Sequence, residues 1–462
     1  MGSEWKTAKL TDHYEIRSGL SKPAKDFGSG YPFLTFKDVF YNYFTPEKLG
    51  DLVESTEKDR LGCSVLRGDV FLTRTSETMN ELGMSCVALK DYENSTFNGF
   101  CKRLRPKADS ELVPEYVGYY LRSPLFRRSM MAFSTMSTRA SLNNEMISRL
   151  DISYPDPGEQ VEIARVLKTL DEKISLNNQI NQTLEQMAQT LFKSWFVDFD
   201  PVIDNALDAG SYIPEIFEAR VERRKAVRER ADFKPLPDDV RQLFPSEFEE
   251  SELGWVPKGW KLESVSDAIQ INPRVKLPKG TEAPFVEMKA LPTSGYAVEE
   301  VSTKAFTGGA KFEQHDVLLA RITPCLQNGK TGFVDFLNEG EVGFGSTEFI
   351  VMRQTEDVHF GYVACLARNE KFRVHAMQSM VGSSGRQRVQ NSCFDSFVIT
   401  LPTKDVMSIF TKMSESYFSK MRTNKLESDN LEKLRDTLLP KLISGELRLD
   451  SPEVEHAKAL ME

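Results

Sequence analysis

Histidine is scarce in this chain, and neither histidine nor cysteine stands in a chemically useful arrangement. There are five histidines and six cysteines in 462 residues. The cysteines (Cys63, Cys86, Cys101, Cys325, Cys365, Cys393) form no CxxC pair, and no two histidines have HxH or HxxxH spacing. No metal site is expected from such a set. Reduced core thiols in a cytoplasmic protein are the expectation. No run of about 20 apolar residues occurs, so no membrane partner is expected. The opening residues lack the apolar stretch of a secretory signal.

Catalytic motifs are missing too. There is no GxxxxGK[ST] loop to cradle ATP phosphates. A base-methylating enzyme would need a glycine-rich cofactor loop and an (N/D)PP(Y/F) or Pro-Cys motif. Asn272-Pro273 continues as Arg-Val, and Pro324-Cys325 has no glycine-rich loop nearby. Glu287-Met288-Lys289, with Asp267 upstream, approaches the Asp and Glu-x-Lys set that holds Mg²⁺ in nucleases. The corresponding segment of the repeat described below is Thr35-Phe36-Lys37, which lacks the carboxylate. A chain with no chemistry and no resident cofactor of its own is expected.

Positive charge is not in excess either: the net charge is −9. Its distribution matters more than its sum. Residues 1–155 hold 21 basic and 20 acidic side chains, whereas residues 156–250 hold 12 and 20. The acid is thus concentrated in the middle. The flanking blocks are close to neutral and can carry local basic faces, so nucleic acid is not excluded as a partner.

What the chain does have is an internal repeat. Asp69-Val70 matches Asp316-Val317, 247 residues on; Arg74 matches Arg321, Phe97 matches Phe344, and Arg139 matches Arg386 at the same offset. LDISYP ends at Pro155 and FVITLP at Pro402; Leu184-Glu185 matches Leu431-Glu432. The entries EWKTAKL and GWKLESV correspond with slight slippage. Matches in one register over more than 100 residues define two copies of one module.

Each module begins with about 150 residues of short strands and loops. DVFLTR and DVLLAR read as strands, and RLDISYP and FVITLP as strands closed by proline. YVGYYLRSPLFRRSMMAF and GYVACLARNEKFRVHAM read as helical. Each module ends in a long helix. In the first, Ile163, Leu167, Leu170, Ile174, Leu184, Ala188, Leu191 and Trp195 keep the 4,3 beat of a coiled coil, with Asn177 and Asn181 at seam positions. In the second, Phe410, Met413, Tyr417, Met421, Leu431, Leu434 and Leu438 keep it, and Asn424 stands 247 residues after Asn177. Two amphipathic helices packed on their own globules would show such a stripe. Its length, about 30 residues, favours pairing of the two helices, with Leu170, Ile174, Asn177, Leu184, Tyr417, Met421, Asn424 and Leu431 in the seam. Seam asparagines would fix register, and the pair would act as a spacer.

The fold expected is α+β: two α/β domains, two long antiparallel coiled-coil helices separating them, and an internal pseudo-two-fold repeat. The domain boundaries read as 1–155, first recognition domain; 156–197, central helix; 198–252, connector; 253–402, second recognition domain; 403–447, C-terminal helix; and 448–462, a weakly ordered tail. The arginine-rich stretch near 214–234 is interleaved with glutamates and reads as a solvated helix face, with a phosphate-contacting strip as the alternative.

Two similar but unequal surfaces suit a DNA site with two half-sites. Base readout calls for Arg, Asn, Gln, Ser and Thr. Polar, turn-prone loops supply these types in both copies. Candidates in the first are Arg74, Thr75, Ser137, Thr138, Arg139 and Asn143; in the second they are Arg321, Thr323, Asn328, Ser384, Arg386 and Gln387. Arg139 and Arg386, at equal positions, are the leading pair. Each arginine has two readings: a DNA contact, or a tie that holds its loop to the globule through carbonyls.

PDPGEQVEIARVLKTLDEKISLNNQINQTLEQMAQTLFKSWFVDFDPV resembles the central conserved region of type I restriction-modification specificity subunits. FPSEFEESELGWVPKGWKLESV resembles that family's linker into its second target-recognition domain, and NLEKLRDTLLPKLISGELRL its C-terminal helix. The resemblance implies a bipartite asymmetric site in double-stranded DNA. It also implies two modification (methyltransferase) subunits carrying S-adenosylmethionine, and restriction (translocase/nuclease) subunits carrying ATP and Mg²⁺. Alternatives are the specificity subunit of a methylation-only system, a free-standing fusion with a methyltransferase, and a coiled-coil scaffold that does not read DNA.

Overall fold

The computed structural model describes residues 4–75, 81–132, 141–252 and 254–460. The chain divides into two units, one of Met1–Ser175 with Ser428–Glu462 and one of Leu176–Glu427.

The first unit is organised by the strand Val70–Thr73, which is buried at every residue. Alternate side chains of a strand point to opposite faces. Val70 and Leu72 accordingly join a core with the helix Pro114–Arg122. Phe71 joins a second core with Leu34, Val39 and Phe97. A strand covered on both faces reads as a continuous apolar run, not an alternating one. Its four-stranded sheet runs in the order Tyr14–Ser18, Cys101–Pro106, Val70–Thr73, Ser85–Val87. A three-stranded sheet holds Asp51–Val53, Phe27–Leu34 and Thr96–Phe97, and Lys6–Lys9 pairs antiparallel with Asp151–Tyr154.

The second unit repeats the plan. Val317–Ala320 is buried throughout. Val317 and Leu319 face one core and Leu318 another. Its four-stranded sheet runs Gln270–Ile271, Phe349–Arg353, Val317–Ala320, Thr331–Phe333, and Lys261–Ser264 pairs with Val398–Leu401. Each unit has a helix pair at the same place. Pro114–Arg122 and Pro124–Ala132 are broken at Ser123, and Phe360–Arg368 and Glu370–Gln378 at Asn369. Ser123 precedes a proline and is extended, at ψ 152°.

The long helices are Pro157–Phe192, of 36 residues, and Lys404–Ile443, of 40. The first passes into a π turn, Lys193–Val197, that buries Trp195 and Phe196. The division between the units falls inside both helices, and each half is packed within its own unit. In the first unit, Leu170 and Ile174 share one core with Leu431 and Leu438. Arg435 Nη1 donates to Asp171 Oδ1 at 2.8 Å, and Tyr119 Oη donates to Asp171 Oδ2 at 2.8 Å. In the second unit, Phe192 meets Phe410 with ring centres 6.5 Å apart, and Tyr417 and Met421 pack against the same core. Leu184 is half-buried. Residues on one helix rise as their partners on the other fall, so the helices are antiparallel. The seam asparagines are partnered as follows. Asn177 Nδ2 donates to Glu427 Oε2 at 2.9 Å, Asn181 Nδ2 to the Met421 carbonyl at 3.1 Å, and Asn424 Nδ2 to Asn181 Oδ1 at 2.9 Å. Asn424 therefore bonds to Asn181 and not to its repeat-mate Asn177.

Two sequence expectations need correcting. The segment after residue 448 is not weakly ordered: Pro452–Ala459 is a helix, and Val454 and Ala457 are wholly buried in the core that contains Leu10 and Ile152. Two apolar residues at i, i+3 suffice to anchor two turns. Nor is the arginine-rich helix, Glu218–Arg228, merely a solvated face. It packs on Asp200–Ala209, where Arg224 makes a forked ion pair with Asp204, Arg228 pairs with Asp208, and Arg223 pairs with Asp198. Arg220 lies over the rings of Phe199 and Phe217.

Candidate nucleic-acid interface

The candidate loops leave the ends of the two central strands, where backbone bonds give them fixed partners. In the first unit the Leu142 amide donates to the Arg74 carbonyl at 2.8 Å, and Thr75 bridges Ser141. In the second the Val389 amide donates to the Arg321 carbonyl at 2.9 Å, and Ile322 bridges Arg388. Both donors and both acceptors are 247 residues apart. The repeat thus builds the same junction twice: the loop after the central strand is tied to the loop before the closing strand. Arg74 and Thr75 are brought beside the Ser141–Asn143 segment, and Arg321 and Thr323 beside Gln387. Ser137, Thr138 and Arg139 lie outside the described residues.

The second unit's loop is a small hairpin. Val381 and Arg388 exchange backbone hydrogen bonds of 3.1 and 3.0 Å. Gly382, at φ +139°, and Gly385, at φ +75°, occupy backbone conformations that suit glycine and shape its tip. Ser384 and Arg386 are exposed at that tip, and the Arg386 amide donates to the Ser383 carbonyl at 3.0 Å. Thr323 fastens the hairpin from below. Its Oγ1 accepts from the Gln387 amide at 3.0 Å and its own amide donates to the Gln387 carbonyl at 3.1 Å. Asn328 is exposed in the turn that follows the cis Thr323–Pro324 bond.

The arginines divide by what they already hold. Arg321 is half-buried, and its Nη2 donates to the Val389 carbonyl at 3.2 Å, so its guanidinium ties the junction. Arg388, passed over in the sequence, grips Glu348 through Nε at 3.0 Å and Nη2 at 2.7 Å. Arg74 and Arg386 are exposed. Asn143 is engaged locally: its Oδ1 accepts from the Met146 amide at 2.8 Å and caps the short helix Asn144–Ser148.

Half-buried arginines elsewhere hold each globule together, and no sequence signal singled them out. Arg122 donates to the carbonyls of Ser85 at 2.7 Å and Val39 at 2.9 Å. Arg368, at the same place in the second unit, donates to those of Thr293 and Thr331, each at 3.1 Å. The Glu287-Met288-Lys289 triplet is an ordinary ion-pair cluster: Glu287 pairs with Lys304 at 3.0 Å and Lys289 at 3.4 Å, which hold its carboxyl below the usual range. Among the described residues no group of three His, Cys, Asp or Glu side chains could hold a metal, and no helix is long and apolar enough to cross a membrane. All six cysteines are free, and burial pushes the Cys101 thiol up to about 12. Such a thiol is a packing group and a poor nucleophile.

Residues 2–186 match the family described as type I restriction modification DNA specificity domain. Along nearly its full length the chain is similar to the type I restriction enzyme HindI specificity subunit of Haemophilus influenzae: 26% identity, covering 96% of this chain and all of that one. It is similar also to the MjaIX specificity subunit of Methanocaldococcus jannaschii, 23% identical over 97% of this chain and 94% of the relative. In fold it is similar to the crystal structure of the type I restriction-modification S subunit from M. genitalium, with a TM-score of 0.51 at 12% identity, covering 95% and 96% of the two chains. With a duplicated loop-bearing globule, two antiparallel long helices and relatives matched from end to end, this chain is similar along nearly its whole length to specificity subunits of type I restriction-modification systems.

Proposed function

We propose that the chain is the DNA-reading, non-catalytic subunit of a type I restriction-modification complex, and that each unit reads one half of a bipartite asymmetric site. The observation that carries this reading is the duplicated junction at Arg74–Leu142 and Arg321–Val389. It presents polar loops of different sequence from two frames of the same construction. Identical frames with unlike loops suit two half-sites of unlike sequence. Arg386 at its hairpin tip, with Ser384 and Gln387 beside it, supplies donors for base edges in the second unit. Thr75 and Arg139 do so in the first, with Arg74 as a further DNA contact beside them.

The methyl transfer and the cleavage belong to partners in this reading. Two modification subunits bring S-adenosylmethionine and methylate adenine; restriction subunits bring ATP and Mg²⁺. The test is a map of modified adenines in cells that carry the chain with its modification partner. A motif of two unlike halves, lost when this chain is deleted and altered in one half only by Arg386→Ala, is the expected result. Methylation that persists without the chain would overturn the reading.

A further inference from the structure

The first unit places a lysine where the second places a core residue. On the four-stranded sheet Lys102 stands opposite Leu72, as Ile350 stands opposite Leu319 in the second unit. Ile350 is wholly buried in the main core. Lys102 is only 9% exposed, yet it has no carboxylate within ion-pair distance among the described residues. Its Nζ donates to Ser18 Oγ and to Asn144 Oδ1, each at 3.0 Å. Both of those side chains are exposed, so the ammonium lies at the rim of the sheet and not deep beneath it.

Its charged neighbour is another cation. Arg74 follows the strand that carries Leu72, and its amide donates to the Phe100 carbonyl at 2.7 Å. By alternation Arg74 and Lys102 lie diagonally on one sheet face. Burial first, and then the Arg74 charge, lower the Lys102 pKa. A cation removed from water without a counter-charge is costly to keep. A neutral side chain would fill the position as well, as Ile350 does. The groups around the pair are an ammonium, a guanidinium, a hydroxyl and an amide, all able to donate to an anion. The pair flanks the junction that carries the first unit's reading loops.

We propose that Lys102 and Arg74 together hold one backbone phosphate of duplex DNA, a contact that positions the first unit on its half-site and that Ile350 replaces in the second. The inference rests on the DNA-reading assignment above. Phosphate contacts fix register without reading bases.

The experiment uses the full chain assembled with its modification partner. The duplex carries the motif found by methylation mapping, and binding is followed from 50 to 200 mM salt. Each phosphate released contributes about 0.9 to the slope of log K against log salt. Lys102→Met should lower that slope by about one, so that the wild-type advantage shrinks about 3.5-fold across the range. Discrimination against mismatched duplexes should be unchanged. Lys102→Arg should restore the slope. Arg74→Gln, a surface change that leaves the fold intact, should reduce the slope on its own and keeps the test open if Lys102→Met unfolds. Unchanged slopes in Arg74→Gln and in a folded Lys102→Met, or an altered base preference, would overturn the proposal. A wild-type complex that does not discriminate its motif from random duplex would instead overturn the DNA-reading assignment.

Discussion

Arg353 meets Asp316 through two parallel hydrogen bonds of 2.7 Å, Nε to Oδ1 and Nη2 to Oδ2, with the carboxylate fully buried. Arg105 and Asp69 repeat the fork in the first unit, at 2.7 and 2.6 Å. Each aspartate also accepts the amide three residues before it, Leu66 or Glu313. The pair thus clamps the turn that starts the central strand. Arg353→Ala should cost about 3–5 kcal/mol, because it leaves a buried charge alone. The double change of Arg353 and Asp316 to apolar residues of similar size should cost far less. Urea denaturation of the single and double variants separates the two outcomes; equal losses would show that the clamp stabilises by packing alone.

Arg386 and Arg321 should part company under substitution. Arg386→Ala should weaken binding to the cognate duplex by about 1–3 kcal/mol, the worth of a bidentate base contact, and leave unfolding unchanged. Arg321→Ala removes the tie to the Val389 carbonyl and should lower stability by about 1–2 kcal/mol. Parallel binding and melting measurements decide it; a melting loss for Arg386→Ala would make that arginine a structural tie.

Asn424 is wholly buried, and its Oδ1 has no hydrogen-bond partner among the described residues. Asn424→Leu removes a desolvated carbonyl and should raise the melting temperature, by the equivalent of about 1–3 kcal/mol. It also frees Asn181 Oδ1, a seam acceptor, so register should be less well defined. Calorimetry should show a higher midpoint with a broader transition. A lower midpoint would mean that the Asn424–Asn181 bond outweighs the orphaned oxygen.

Val454→Asp should destabilise the first unit by several kcal/mol, since a carboxylate would enter an apolar core without a partner. Glu455→Ala, on the exposed face of the same helix, should do nothing beyond about 0.5 kcal/mol. Protease susceptibility of Pro452–Ala459 in the two variants reads the difference directly.

Asp208 accepts from Arg228 and from Arg241, and these hydrogen bonds, Arg228 first, hold its carboxyl below the ordinary value. The stabilisation is therefore complete above the unfolded aspartate value of about 3.9 and is lost as pH falls through the lower folded value. Carboxyl-carbon titration should show the Asp208 midpoint shifted down in the wild type. It should return toward the ordinary value in Arg228→Gln.

The repeat was legible because the residues that keep it are fixed by geometry. Asp69 and Asp316 clamp the same turn, and the strands after them face two cores and so stay apolar. Their partners Arg105 and Arg353 were not legible. They stand 248 residues apart, out of step by one, and an arginine near a strand end reads as surface. The connector's ion pairs were hidden for a related reason: Asp204 and Asp208 precede Arg224 and Arg228 by 20 residues on another helix, so local charge alternation looked like solvation. Among the loop candidates, type alone could not separate an asparagine that caps a helix, as Asn143 does, from one left free for DNA. Lys102 escaped notice because its meaning lies in the isoleucine that replaces it in the other copy.

The first unit draws its core from both ends of the described chain: Leu10, Tyr116 and Ile152 share it with Leu431, Leu442 and Val454. The second unit is one uninterrupted stretch, Leu176–Glu427. On the ribosome the order of completion is therefore the reverse of the order of synthesis. The later-made unit can close as soon as it emerges, while the earlier-made one waits, its apolar surface unsealed, for the segment that holds Leu431, Leu442 and Val454. A chain ending at residue 427 would carry every residue of the second unit and leave the first one open.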